Sequence, residues 1–248
     1  VTLLRSLLFN LYFFGLTLAC SLYGVLLNVI APRRLLGLVR LWGRWLCWGA
    51  ARICGIRLVV IGREYIPGDG AALLASQHQS AFDTFVWLTL LPRPSYVVKQ
   101  ELARIPLFGR LLRPAGMIVV DRSAGAAALR RLLRDGDAAV ADRRQIVIFP
   151  EGTRTAPGER LELQPGIAAL AARTRLPVVP VATDSGLRWG RRSFLKRPGP
   201  IHVMVQPPLP AGLSREVLME RLQAAWAEAE RRVEPVDKSV GDVHALLP

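Results

Sequence analysis

Two segments of this chain carry residue types whose spacing suits chemistry. In Ser76-Gln77-His78-Gln79-Ser80-Ala81-Phe82-Asp83 an imidazole is followed five positions later by a carboxylate. An imidazole can act as a base near neutral pH, and a carboxylate bonded to one ring nitrogen leaves the other free to take a proton. Farther on, Phe149-Pro150-Glu151-Gly152-Thr153-Arg154 sets a glycine turn before a hydroxyl and a guanidinium. Those are the ingredients of a phosphate clamp, because a guanidinium fork matches phosphate oxygens. Two readings of the first segment stay open. A loop entering a helix can fold His78 back over the first turn, where Asp83 orients it. Alternatively, Ser80 N-caps a helix over 81–91 with Asp83 as the third position of a capping box, and His78 is a loop residue.

The elements that must hold these residues follow from the hydrophobic pattern. From residue 57 onward, short apolar runs predict strands at 58–61, 72–75, 96–98, 117–120, 146–149, 178–182 and 201–205. Helical stretches are predicted at 81–91, 105–112, 124–142, 166–174 and 214–233. Alternating strands and helices imply an α/β domain, and near-continuous apolar strands imply a mostly parallel or mixed sheet covered by helices. His78, Asp121-Arg122 and Glu151-Gly152-Thr153-Arg154 each follow a predicted strand. Ligands of open α/β sheets sit outside the carboxyl ends of strands, so three polar clusters converge on one pocket in this reading.

Residues 1–56 are a different material. Residues 6 to 32 carry no charge, a run long enough to cross a bilayer, which takes about 20 residues. Arg33, Arg34, Arg40 and Arg44 follow it and place the body on the cytoplasmic side by the positive-inside rule. The segment 35–56 mixes Trp42, Trp45 and Trp48 with arginines, as suits a helix in the headgroup layer. The expected organisation is a membrane-binding helical segment at 1–56 (spanning, or a hairpin dipping into one leaflet), a catalytic domain at 57–233, and a flexible tail at 234–248. The balance of 33 Lys+Arg against 19 Asp+Glu, net +14, favours anionic partners such as lipid headgroups, an acidic carrier or CoA phosphates. Nucleic acid is disfavoured, since no zinc spacing, recognition helix or aromatic ribonucleoprotein motif is present. Cys20, Cys47 and Cys54 form no CxxC and read as buried or lipid-facing thiols. His202 and His244 lack a neighbouring partner and read as structural or surface residues.

The order of the motifs resembles a known family. His78-Gln79-Ser80-Ala81-Phe82-Asp83 is followed by Lys99-Gln100-Glu101-Leu102 with Ile105-Pro106-Leu107-Phe108-Gly109, then Gly116-Met117-Ile118-Val119-Val120-Asp121-Arg122 and Phe149-Pro150-Glu151-Gly152-Thr153-Arg154. Leu176-Pro177-Val178-Val179-Pro180-Val181-Ala182 closes the series. Across about residues 57 to 212 this is similar to the bacterial glycerolipid acyltransferases that acylate 1-acyl-sn-glycerol-3-phosphate. The resemblance implies that His78 is the general base and Asp83 its orienting partner. It also implies that Lys99, Arg122, Thr153 and Arg154 surround a glycerol phosphate, with Glu151 and Gly152 shaping the turn. Three positions depart from the family pattern: Ser76-Gln77 before the base, Pro165 before Gly166, and Asp184 in place of a common Asn.

The implied partners are lysophosphatidic acid, an acyl-CoA or acyl carrier protein thioester, and membrane lipids of a bacterial inner membrane; no metal or cofactor is implied. The residues themselves favour direct transfer, because no serine or cysteine sits in a nucleophile elbow. Competing readings are an acyltransferase for another lysolipid and a non-catalytic membrane-binding protein. From the residues alone, Arg122 has a second reading as a solvated helix-start residue paired with Asp121.

Overall fold

The computed structural model describes residues 1–233, so the tail expected at 234–248, with His244, lies outside the described residues. In chain order the helices are α1 Thr2–Ile30, α2 Leu35–Cys54, α3 Asp83–Leu90, α4 Gln100–Ala103, α5 Phe108–Leu112, α6 Ala126–Ala141, α7 Gly166–Thr174, α8 Ser185–Arg188 and α9 Arg215–Val233. The strands are β1 Ile56–Ile61, β2 Ala72–Ser76, β3 Pro94–Lys99, β4 Ile118–Val120, β5 Gln145–Ile148, β6 Val178–Thr183 and β7 Gly199–Val205.

All seven strands join one sheet in the order β1-β7-β6-β2-β5-β3-β4. Every neighbouring pair is parallel except β6 with β7, so the sheet is mixed. Strand side chains alternate between faces, and the interior strands are dry on both faces, while the edge strand β1 exposes Arg57, Val59 and Ile61 on one side. Leu74, Val147, Val179, Val181, Ile201 and Val203 point into a core shared with α1, α2 and α3. Leu73, Ile146, Ile148, Val178, Ala182 and Met204 point into a second core formed with α6, α7 and α9. That two-sided burial is why the interior strands read as unbroken apolar runs.

The predicted helix over 105–112 is shorter in the structure, beginning at Phe108. Pro106 disfavours helical backbone at Ile105, and Leu107 takes φ 62°, outside the right-handed helix. Gly109 then packs so closely that a Cβ there would lie 2.3 Å from the Ala103 carbonyl oxygen. The short helices α4 and α8 carry too little periodicity to be read from sequence.

Helices α1 and α2 run antiparallel, joined through Pro32–Arg34. The Tyr12 hydroxyl donates to the Trp45 carbonyl at 2.8 Å, and the Trp42 indole donates to Thr17 Oγ1 at 3.1 Å. Gly49 lets the pair close, since a Cβ there would sit 2.3 Å from the Tyr12 ring. The outer side of α1 exposes Leu3, Leu4, Leu7, Leu11, Phe14, Leu18, Leu22 and Leu26. By length and composition α1 can cross a membrane. Its inner side is not lipid-facing: Phe9 is fully buried, and Leu35, Leu46 and Ala50 of α2 lie in the same core as the sheet.

A buried lysine locks this arrangement. Lys196, 2% exposed, donates from Nζ to Asn10 Oδ1 at 2.6 Å and to the Phe194 carbonyl at 2.9 Å. Its backbone N–H donates to Ser6 Oγ at 2.9 Å, and its ammonium lies 4.9 Å from the centre of the Trp189 ring. Trp189 in turn meets Phe9 edge-on at 5.4 Å.

The helix that begins with Asp83 is seated on α2. A Cβ on Gly43 would fall 2.6 Å from Leu88 Cβ and 3.1 Å from the Phe85 carbonyl oxygen. Gly43→Val should therefore wedge α2 from α3 at a cost of roughly 1–3 kcal/mol, the usual range for overpacking. A fall in the thermal unfolding midpoint of the detergent-solubilised protein measures it; an unchanged midpoint would show that the two helices separate freely.

Candidate active site

Strands β6, β2, β5, β3 and β4 run parallel, so their carboxyl ends share one edge of the sheet. His78 lies in the loop after β2, Phe149 to Thr155 follow β5, Lys99 ends β3, and Arg122 begins a 3-10 turn after β4. The register pairs Lys99 with Val120, two residues before Arg122. Every sequence-predicted site residue therefore reaches the same edge.

At its centre, His78 Nδ1 lies 3.2 Å from Asp83 Oδ2. The same oxygen accepts the backbone N–H groups of Gln79 and Ser80, each at 2.8 Å. Asp83 is the first residue of α3 and is 2% exposed. Of the capping-box alternative, only half forms. Ser80 N–H does donate to Asp83, but Ser80 Oγ accepts from Phe82 N–H at 3.1 Å, not from the residue at position 83. The two readings of Asp83 thus describe one carboxylate that both shapes the loop and holds the ring. With Nδ1 bonded to the carboxylate, the tautomer carries its proton there and Nε2 keeps its lone pair. The imidazole stacks on Phe149 with centroids 4.2 Å apart and planes at 21°.

The β5 loop grips this loop through its backbone. His78 N–H donates to Glu151 Oε1 at 3.1 Å, and Thr155 N–H donates to the His78 carbonyl at 2.8 Å. Glu151 thus faces the base loop, which makes it a brace on His78 as well as part of the turn. Burial pushes its carboxyl up to about 7, with the Asp83 charge adding to the rise and the His78 and Glu151 backbone N–H groups opposing it. Gly152 adopts φ 72°, and a Cβ there would lie 2.7 Å from Arg122 Nη1. The positive φ favours glycine there.

Arg122 donates from Nη1 to the Gly152 carbonyl. It does not pair with Asp121, whose carboxylate instead accepts from Ser123 N–H at 3.0 Å and Ser123 Oγ at 2.6 Å. The Asx turn competes better for Asp121 because its donors are two residues away. Arg154 is half-buried, yet its guanidinium has no hydrogen-bond acceptor among the described residues. Burial draws its pKa below the ordinary arginine value; Asp83 opposes that shift and Arg191 adds to it. Lys99 is exposed, and neither its ammonium nor the Thr153 hydroxyl has a protein partner among the described residues. A base with a free nitrogen, beside cationic and hydroxyl donors that the protein leaves open, can deprotonate an alcohol carried on an anionic substrate.

The acyltransferase family profile matches residues 57–184, more than half of the chain. The chain belongs to the acyltransferase family. A 1-acyl-sn-glycerol-3-phosphate acyltransferase of Pseudomonas aeruginosa is 33% identical, over 97% of this chain and 95% of that protein. One from Cocos nucifera is 34% identical over 67% of this chain and 53% of its own length. In fold, the chain is similar to the crystal structure of the 1-acyl-sn-glycerophosphate acyltransferase PlsC from Thermotoga maritima. That match has a TM-score of 0.77 and 22% identity, covering 98% of this chain and all of the other.

Sequence reasoning missed the supports of this acyltransferase loop. Gln79 Oε1 accepts from Gly186 N–H at 3.2 Å, and Gln77 Oε1 accepts from Thr183 N–H at 3.0 Å. His202, read as lacking a partner, lies with Nδ1 2.6 Å from Asp184 Oδ2, and its N–H donates to Asp184 Oδ1 at 2.7 Å. The partners are 18 residues apart and meet only because β6 and β7 are antiparallel, so nothing local announces them.

The raised Glu151 carboxyl has a pH consequence. Between its ordinary value of 4.5 and about 7, the folded state holds a proton that the unfolded state has released. Stability therefore falls as pH rises through that window and levels off above it. Glu151→Gln keeps an oxygen for His78 N–H and removes the titration, so the variant should gain on the parent from pH 5 to pH 8. Urea midpoints across that range test it; parallel curves for the two proteins would remove Glu151 as the source.

Proposed function

We propose that this protein transfers an acyl chain from a thioester to the sn-2 hydroxyl of 1-acyl-sn-glycerol-3-phosphate, giving phosphatidic acid. The observation that carries the reading is the half-buried Arg154 guanidinium, open to an anion, on the same strand-end edge as the His78–Asp83 pair. A partly buried guanidinium whose donors meet no protein acceptor among the described residues can take an anionic ligand by its fork. The names of the relatives supply the acceptor: both curated proteins are 1-acyl-sn-glycerol-3-phosphate acyltransferases.

In the proposed reaction His78 Nε2 takes the proton of the acceptor hydroxyl as its oxygen attacks the thioester carbonyl carbon. Asp83 stabilises the resulting imidazolium and keeps the ring oriented. The tetrahedral intermediate collapses with cleavage of the C–S bond, and the imidazolium returns the proton to the leaving thiolate. Arg154 takes the phosphate bidentately, while Thr153, Lys99 and Arg122 add donors around it. Fixing the phosphate sets the distance from hydroxyl to base, which turns binding into rate. Glu151 and Gly152 shape the turn. The donor is an acyl-CoA or acyl carrier protein thioester, either of which brings negative charge to a chain of net +14.

The apolar outer face of α1 and the exposed Trp45 and Trp48 of α2 support membrane association. Arg33, Arg34, Arg40 and Arg44 after α1 support an inner membrane with the catalytic body on the cytoplasmic side. The dyad geometry favours this enzyme over a purely lipid-binding protein, which has no use for an oriented imidazole.

The direct test is an assay of purified protein in detergent with 1-acyl-glycerol-3-phosphate and a labelled acyl thioester. His78→Ala should lower turnover by about 10²–10⁴-fold, the usual contribution of a general base, without loss of folding. Near-parent turnover in a folded variant would end the assignment. Arg154→Lys keeps the charge but loses the fork, so the lysolipid KM should rise at least tenfold while the thioester KM moves little, by the ~1.4 kcal/mol per decade scale. A rise in the thioester KM alone would move Arg154 to the donor.

A further inference from the structure

Gln77, one of the departures from the family pattern, is 6% exposed and bonds in two directions. Its Oε1 accepts from Thr183 N–H at 3.0 Å, and its Nε2 donates to Glu230 Oε1 on α9 at 2.7 Å. The other oxygen of that carboxylate accepts from Arg160 Nη2, also at 2.7 Å. Gln77 immediately precedes His78 in the base loop. Arg160 belongs to the β5–α7 connection, which also carries the Glu151–Arg154 turn. One carboxylate on α9 therefore holds both loops of the site at once, one by each oxygen.

The helix beneath it is firmly seated. Leu218, Leu222, Trp226 and Ala229 of α9 are buried in the second core, against the sheet face opposite α1 and α2. Between this helix and the two loops the packing is not solid. Gln77, Glu151, Arg160 and Trp226 line a cavity of about 10 Å³, at the lower limit for one water. Leu161 and Leu163 line it too, and Leu163 is buried in the same core as Trp226, so apolar contact seats the β5–α7 connection on the helix while the polar links add a directional tie to Gln77 and Arg160. Their worth in global stability is small, because Arg160 is 46% and Glu230 27% exposed and such pairs contribute little. Their worth in geometry is larger, since a misplacement of 1 Å in a catalytic constellation can cost about 10²-fold in rate.

We infer that Glu230 is a positioning residue, holding the base loop through Gln77 and the phosphate-clamp loop through Arg160 in fixed relation. It touches no reacting atom and acts through its hold on these loops. The inference rests on the acyltransferase reading of His78 and Arg154, and it assigns α9, beyond the matched residues 57–184, a part in turnover.

Full-length protein in detergent, with saturating and varied concentrations of each substrate, tests it through Glu230→Ala, Gln77→Ala, the double variant and Glu230→Gln. Glu230→Ala should lower kcat by about tenfold, within the range for a misplaced constellation, with both KM values within about twofold of the parent and the same pH profile. The double variant should lose less than the product of the two single losses, because the Gln77–Glu230 bond is cut in both. Glu230→Gln keeps an oxygen for Gln77 and should restore kcat to within about threefold, since a neutral acceptor still makes that bond.

A folded Glu230→Ala protein with parent kcat overturns the inference, as does a loss confined to the lysolipid KM or fully additive losses in the double variant. If Glu230→Ala does not fold, Gln77→Ala decides by the same kcat criterion. Failure of the underlying reading looks different: the parent protein would transfer no acyl group, or His78→Ala would remain active. With an active parent and a dead His78→Ala, a normal Glu230→Ala sinks only the strap.

Discussion

Asp83 Oδ2 is the atom on which the site depends. It receives two backbone N–H groups from the loop and lies against the imidazole of the residue just before them. A carboxylate that gathers three partners within five residues bends the chain into a tight hook, and the hook turns His78 back over the first turn of its own helix. Removing the side-chain oxygen would release the loop's amides as well as the ring, so orientation of the imidazole and shape of the backbone are one property. The stack on Phe149 and the bonds from His78 to Glu151 and Thr155 then hold the hook from the far side.

The parallel strands make that local device useful. Chains that leave a parallel sheet do so at one edge, so segments far apart in sequence arrive together without any sequence adjacency. An imidazole–carboxylate pair after β2, a glycine turn after β5 and cations at the ends of β3 and β4 meet for this reason. The antiparallel entry of β7 serves another purpose. It brings His202 beside Asp184 and so fixes the start of α8, whose Gly186 N–H reaches back to Gln79.

What was legible in the sequence was what is periodic or local. Short apolar runs announced all seven members of the sheet, and the five-residue spacing from His78 to Asp83 announced the hook. Ambiguity over Asp83 arose because the same acceptor geometry serves a helix start and a base. Contacts that depend on tertiary approach left no trace: Gln77 with Glu230 spans 153 residues, and Arg122 chose the Gly152 carbonyl over its neighbour Asp121. The shortened α5 shows a local signal overruled by another, since the apolar pattern at Ile105 and Leu107 continues a helix that Pro106 forbids.

Lys196 gives α1 an identity that its composition hides. Seen from outside, the helix is a greasy rod whose composition alone sets it apart from no other apolar helix of its length. This one carries Ser6 and Asn10 on its inner side, and they receive the N–H and the ammonium of a lysine that is almost wholly enclosed. An unrelated hydrophobic segment grafted in its place would leave that cation enclosed with its Asn10 partner gone, an arrangement far costlier than the loss of an ordinary surface ion pair. The helix is thus not a detachable accessory. It is a keyed part, and modularity in this protein stops at the sixth residue.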